Sequence, residues 1–180
     1  MFTVTPLPEL LAGLGLDVLG PVQDLPGLTR HELHDCPLLE GMSEGELRGL
    51  GTAMLQAHAR AGQALIHEGE LGDWMMLVLR GSVDVFKHVD GTQGERTARL
   101  AVVLPGATIG EMSMFDGAPR YASCVALTDV DVGVLSRQQI ADLIAAYPTV
   151  GAKVLMRLNQ QLAQRLRNTS NQLVRSLKKQ

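Results

Sequence analysis

Apolar positions along this chain fall into three regimes. Residues 1–35 are rich in Leu but broken by Gly and Pro. Pro8 to Leu19 has the spacing of a short helix, weakened by Gly13 and Gly15. Pro21 and Pro26 interrupt, and Thr29 to Asp35 reads as a further helical turn, capped by Thr29 with Glu32 three residues on. So many Leu residues in a broken segment mark it as packing on something, either the body of the domain or a second subunit. Ser43 followed by Glu46 is a capping box ahead of Leu47 and Leu50, and it predicts a helix from about Ser43 to Leu55. From His58 to Leu135 short strands alternate with turns. Ala64-Leu65-Ile66 runs into the turn-rich Glu68–Asp73, Trp74–Leu79 is a strongly apolar strand, and Arg80-Gly81 is a tight turn. Ser82 to His88 alternates, with Val83 and Val85 on one face and Phe86 on the other. Asp90-Gly91 through Glu95 reads as a hairpin loop, Thr97–Leu104 as its second strand, and Pro105-Gly106 as the next turn. Cys124–Leu127 and Asp131–Leu135 are two more strands, joined at Thr128-Asp129. The pattern predicts a mainly β fold with flanking helices, a β-roll or jelly roll. It excludes βαβ units, because no long helical stretch separates the strands.

The third regime is helical. Ser136 with Gln139 is a second capping box, opening a helix through Ile140, Leu143 and Ile144 to about Ala146, and Pro148 is placed to start another in its first turn. From there to Lys178 there is no further Pro, and Gly151 is the only Gly. Leu155, Leu158, Leu162, Leu166, Thr169, Leu173 and Leu177 recur in steps of three and four, near a straight-helix repeat. A helix of this length spans about 45 Å. That is long for one helix on a small roll, so the stripe is read as facing the same helix of a second subunit, as a homodimer. The alternative is a helix folded along its own roll. The chain thus divides into an N-terminal helical extension (1–35), a β-roll with short flanking helices (36–147) and a long C-terminal dimerisation helix (148–180).

Composition narrows the function. With 46% hydrophobic and 19% charged residues, the chain folds rather than staying disordered. There is no run of about 18 apolar residues and no basic patch before an apolar run at the N-terminus, so neither a membrane span nor a signal peptide is expected. The two cysteines, Cys36 and Cys124, have neither metal nor redox spacing. Buried free thiols in a cytoplasmic protein are the default, a single disulfide the alternative. Charge is unevenly spread. Residues 148–180 hold seven of the 16 basic residues (Lys153, Arg157, Arg165, Arg167, Arg175, Lys178, Lys179) and none of the 19 acidic ones. Such a tail either meets nucleic acid or is the solvated side of a helix packed on an acidic body, and the second reading is preferred. The five His residues are scattered, and there is no HExxH, no G-x-S-x-G elbow, no dinucleotide fingerprint and no P-loop. The chain therefore reads as a binding protein and not an enzyme, with no metal.

The candidate chemistry lies in Gly110–Ser123, where Glu111 stands near the start and Arg120 nine residues later, with strand-like sequence on both sides. Backbone N–H groups after a tight Gly, together with a short helical turn, can hold an anion. Arg120 brings a planar donor fork suited to a phosphate. Glu111 repels a phosphate but accepts from a hydroxyl, as acids do at ribose 2′-OH groups. An acid and an Arg held together point to a small ligand with a sugar hydroxyl beside a single phosphate. The plainer reading is a Glu–Arg salt bridge beside a Gly-Ala-Pro turn.

These residues resemble the phosphate-binding cassette of cyclic nucleotide-binding domains, whose pattern is roughly Phe-Gly-Glu-(Leu/Ile)-Ala-Leu, a short spacer, then Pro-Arg-Ala-Ala-(Thr/Ser). Gly110, Glu111, Pro119, Arg120, Ala122 and Ser123 match it. Ile109 replaces Phe, Met112-Ser113 replaces the Leu-Ala pair, and Tyr121 replaces the first Ala. The order Glu-Gly-Glu, apolar strand, Arg-Gly-Ser-Val, Pro-Gly, cassette resembles the family from Cys36 onward. Arg165 to Ser170 is similar to the dimer helix of the catabolite-activator branch. The resemblance implies a cAMP or cGMP ligand held by Gly110, Glu111, Met112, Arg120, Tyr121 and Ser123. Arg120 and the amides would take the phosphate, Glu111 the ribose 2′-OH, Thr169 and Ser170 the base edge, and Leu100 and Val103 would form apolar walls. Thr169 and Ser170 favour cAMP, whereas Ser123 also accommodates guanine in family members. The bulk of Tyr121 is expected to narrow the pocket mouth. No recognition helix follows the long helix before Gln180, so the expectation is a stand-alone sensor acting through helix position on a dimer or an unidentified protein partner, with nucleic acid disfavoured. The alternatives are a dimerising scaffold with a degenerate pocket and a binder of another nucleotide, such as a cyclic dinucleotide.

Overall fold

The computed structural model describes residues 5–91 and 94–178; at 90, 91 and 94–96 only the backbone is described. The tip of the 90–95 hairpin loop and Lys179-Gln180 at the end of the last segment lie outside the described residues. In chain order the elements are α1 (Leu7–Gly13), β1 (Asp17–Pro21), α2 (Leu25–His31), α3 (Glu44–Ala53), β2 (Leu55–Ala59), β3 (Ala64–Ile66), β4 (Trp74–Arg80), β5 (Val83–Gly91) and β6 (Gly94–Val103). They continue with β7 (Thr108–Ile109), α4 (Glu111–Asp116), β8 (Ser123–Ala126), β9 (Val130–Ser136), α5 (Arg137–Ala146) and α6 (Pro148–Leu177).

Two antiparallel sheets form the β-core, one ordered β1-β2-β9-β4-β7 and the other β3-β8-β5-β6. The unbroken apolar run of β4 reflects burial on both faces. Trp74, Met76 and Val78 point into the cluster between the sheets, where they meet Ala57, Val83, Ile109, Cys124 and Val132. Met75, Leu77 and Leu79 point the other way, into a cluster with Leu50, Met54, Leu143, Val154 and Leu158. The first sheet is thus the middle layer, with the second sheet on one side and α2, α3, α5 and α6 on the other.

Both capping boxes form: Ser43 with Glu46 opens α3, and Ser136 with Gln139 opens α5. The first 35 residues depart from a purely helical extension. Asp17–Pro21 pairs antiparallel with β2 and lengthens the sheet, and Leu11 and Leu16 are buried in the inter-sheet cluster. Pro21 is tolerated because β1 is an edge strand. α2 also starts earlier than Thr29: Asp24 is its cap, accepting from Gly27 N–H at 2.9 Å, and Pro26 sits in the first turn, where its missing N–H costs nothing.

α6 changes character along its length. Val150, Val154 and Leu158 are buried, Leu155 and Leu162 half-buried, and every described residue from Gln164 onward is exposed. Lys153 donates to Gly41 O (3.0 Å) and pairs with Glu46 (2.8 Å), while Arg157 donates to Glu40 O and pairs with its carboxylate, both at 3.0 Å. Basic residues of the helix therefore do meet the acidic body. Leu158→Ala is expected to destabilise the protein by about 2–5 kcal/mol in urea unfolding. A change below about 0.5 kcal/mol, typical of a surface site, would contradict its place in the core.

Candidate functional site

Residues 110–123 leave the middle sheet at β7, make one short helix, and enter β8 of the other sheet. Gly110 opens α4 at φ 79°, and a Cβ there would lie 2.6 Å from Arg120 Nη1 and 3.0 Å from an Ile66 methyl. Gly117 closes α4 with a second positive φ. Arg137, at the start of α5, donates from Nε (2.9 Å) and Nη2 (2.6 Å) to the Met114 carbonyl and ties α4 to the helical layer.

Arg120 is 4% exposed and turned inward. Nη1 donates to Gly110 O at 2.6 Å, Nη2 to Trp74 O at 2.8 Å, and the guanidinium lies 4.2 Å from the Trp74 ring centroid. It fits only because Gly72 and Gly110 lack side chains: a Cβ on Gly72 would lie 2.5 Å from Nη2. Burial pulls its pKa below the ordinary arginine value, against the pull of Cys124, Asp73, Glu111 and Glu70, and it remains a cation. The turn after β3 fixes the far limb of the cassette. Gly69 N–H donates to Arg120 O (2.9 Å), Arg120 N–H to Glu70 O (2.8 Å), and Glu68 N–H to Ser123 Oγ (3.0 Å). This leaves the N–H groups of Tyr121 and Ala122 without a hydrogen-bond partner among the described residues.

Glu111 is 2% exposed. Its Oε1 pairs with Arg165 of α6, whose Nη2 also donates to Thr108 O at 2.8 Å, while Oε2 is buried with no partner. Burial pushes the Glu111 carboxyl above the usual carboxylate range, opposed by Arg165, its own N–H and Arg120. One turn earlier on α6, Gln161 Oε1 accepts from the Thr108 hydroxyl at 3.1 Å. The Glu–Arg pair foreseen within the cassette is thus a pair between Glu111 and α6. Arg165 was visible in the sequence as a basic helix residue, but nothing local ties it to Glu111.

The other predicted site residues are placed as follows. Ser123 is buried and occupied by Glu68 N–H. Tyr121 is 56% exposed, with the Lys87 ammonium 4.3 Å from its ring centroid. Met112 lies exposed on α4. Val103 packs half-buried against the inter-sheet cluster, whereas Leu100 is exposed. Thr169 and Ser170 are exposed on α6 just beyond Arg165, with no hydrogen bond to the β-core among the described residues. Two surface cavities lie off the cassette. One of about 490 Å³ is lined by residues 29–47, and one of about 310 Å³ lies beside Gly106, Gln161 and Arg165.

A family profile described as "Cyclic nucleotide-binding domain" matches residues 56–147, more than half of the chain. The chain belongs to this family. A crystal structure of a cyclic nucleotide-binding domain from Methylobacillus flagellatus superposes with a TM-score of 0.76 at 36% identity, covering 88% of each chain. The Cyclic AMP receptor protein of Thermus thermophilus is 35% identical over 138 residues, 76% of this chain and 60% of that protein. A cGMP-dependent protein kinase of Caenorhabditis briggsae is 33% identical over 110 residues, 61% of this chain and 14% of that protein. The chain thus spans less than two thirds of the length of each of these two curated relatives.

Removing Arg165 strips Glu111 of its counter-charge, so Arg165→Ala is expected to raise the Glu111 pKa further, read by carboxyl NMR titration. The sign follows from linkage. A carboxyl raised above its unfolded value favours the folded state while protonated, and that contribution is lost as pH rises through the folded value. The variant should therefore lose more stability, relative to the parent, at about pH 8 than at about pH 4. Equal losses at both would show that the pair does not hold a charge in place.

Proposed function

We propose that this chain is a cyclic nucleotide sensor, binding cAMP, with cGMP as the alternative, at residues 110–123. The observation that carries the reading is the buried, unpartnered Oε2 of Glu111. An orphaned carboxylate oxygen is costly unless a donor reaches it, and a ribose 2′-OH is such a donor. Arg165 holds Oε1, so Oε2 is free to accept without breaking the pair. The phosphate is taken by the remaining N–H groups of Arg120 and by the open amides at Tyr121 and Ala122, with Gly110 and the Met112 N–H at the start of α4 completing the cradle. Leu100 and Val103 wall the base, and Ser123 keeps the cradle's far limb in place.

The two sheets act as a β-roll, with residues 36–147 the binding unit and 148–180 its output. Beyond Arg165, Leu166, Leu173 and Leu177 stand exposed along α6, as does Thr169. They form the seam of a homodimer through the same helix of a second subunit, which brings Thr169 and Ser170 to the base edge. Ligand on Glu111 biases Arg165 and so the position of α6, a population shift without a chemical step. The role is regulatory and non-catalytic, in the cytoplasm, with an unidentified protein surface as the downstream contact. Among the described residues no helix is long and apolar enough to cross a membrane. One observation favours the scaffold alternative: both terminal nitrogens of Arg120 already serve backbone carbonyls.

Calorimetric titration with cAMP and cGMP tests the proposal. The expected result is binding at about micromolar Kd or tighter, weakened at least about 30-fold by Arg120→Ala, in a variant shown to be folded by circular dichroism. No heat with either nucleotide would shift the reading to the scaffold, and equal affinities would sink the preference for cAMP.

A further inference from the structure

Tyr121 stands where the family pattern has Ala, directly after the buried Arg120. An aromatic ring at this position has the bulk to cover the amides beside it. The structure instead sends it outward. The chain bends at Tyr121 and Ala122, just before β8. Arg120 goes in toward Gly110 and Trp74, and Tyr121 goes out beneath Lys87.

Lys87 is well placed to enforce this. Its Nζ donates to Tyr121 O at 2.7 Å and to Glu68 Oε1 at 2.7 Å, while sitting 4.3 Å from the Tyr121 ring centroid. Glu68 is itself anchored. Its Oε2 accepts from His88 N–H at 2.8 Å and lies 3.1 Å from His88 Nδ1, and its backbone N–H is bound to Ser123 Oγ. Lys87 and His88 N–H hold the Glu68 carboxyl down to about 2, so it stays charged through the neutral range. A trans peptide carries its C=O and N–H in opposite directions. By fixing Tyr121 O, Lys87 therefore also fixes the direction of the Ala122 N–H, away from itself.

We propose that Lys87, anchored by Glu68, is a positioning residue for the ligand phosphate: it parks the Tyr121 ring outside the cradle and orients the Tyr121–Ala122 peptide that faces the ligand. This rests on the cyclic nucleotide reading of the cassette. Lys87 lies outside the cassette, on β5, and it compensates for a bulky residue within it. A ring released from the ammonium gains apolar contact by turning back over the cleft, and then competes with the ligand.

The test compares the parent with Lys87→Met, Lys87→Arg, Tyr121→Ala and the Lys87→Met/Tyr121→Ala pair. In cAMP titration Lys87→Met should weaken binding about tenfold, within the range of coupling between contacting residues. The double variant should recover the part of that loss that the released ring causes, Lys87→Arg should retain most of the affinity, and Tyr121→Ala alone serves as the reference that closes the cycle. A purely structural ion pair predicts no recovery in the double variant. In ligand-free protein, NMR should show the Tyr121 ring and Ala122 amide signals displaced by Lys87→Met. Parental affinity in Lys87→Met, no recovery in the double variant, or unchanged ring and amide signals would each overturn the clamp. Failure of the parent to bind any cyclic nucleotide would instead contradict the functional reading, and the ligand-free signals would still decide whether Lys87 holds the ring.

Discussion

A carboxylate with almost no exposure, Glu111, constrains the rest of the arrangement. Burying a charge costs several kcal/mol unless a partner offsets it, and removing that partner costs about 3–5 kcal/mol. The partner is Arg165, on the helix that leaves the domain. α6 therefore cannot shift past the cassette without Glu111 changing partner, taking a proton or meeting solvent. One oxygen of the same group pairs with the helix, and the other is buried without a partner among the described residues. In the function proposed above, ligand and helix position are linked through this single side chain.

The second buried charge, Arg120, has a different task. Its two terminal nitrogens join the carbonyls of Gly110 and Trp74, the first at the mouth of the cassette and the second on the strand shared by both hydrophobic clusters. Two glycines make room for it. The cassette is thereby fastened to the middle sheet before any ligand arrives, while the turn at Glu68–Glu70 fastens its other limb. Among the described residues the amides of Tyr121 and Ala122 have no hydrogen-bond partner, and Lys87 takes the Tyr121 carbonyl.

Much of this was legible in the sequence because it is local. The capping boxes at Ser43 and Ser136, the two-faced apolar run of β4, and the start of α6 at Pro148 follow from residue chemistry within a few positions. The Gly-Glu and Pro-Arg of the cassette were readable through their resemblance to a family pattern. What escaped depends on distant contacts. β1 contains Gly20 and Pro21, which local rules assign to a turn, and only pairing with β2 makes it a strand. Pro26 read as an interruption but lies in the first turn of α2 because Asp24 precedes it as a cap. The Arg165–Glu111 pair spans 54 positions, and no spacing rule reaches that far. The outward turn of Tyr121 likewise depends on Lys87, 34 positions earlier in the chain.

The most direct test of this account asks whether the unpartnered oxygen of Glu111 receives a ribose hydroxyl. Affinities of cAMP and 2′-deoxy-cAMP would be measured side by side, in the parent and in Glu111→Gln. The account predicts that removing the hydroxyl weakens binding to the parent at least about tenfold, since a buried acceptor is left unpaired. It also predicts that most of this difference disappears in Glu111→Gln. Equal affinity of the parent for both nucleotides would contradict it, because Glu111 would then be a structural charge and not the reader of the ligand.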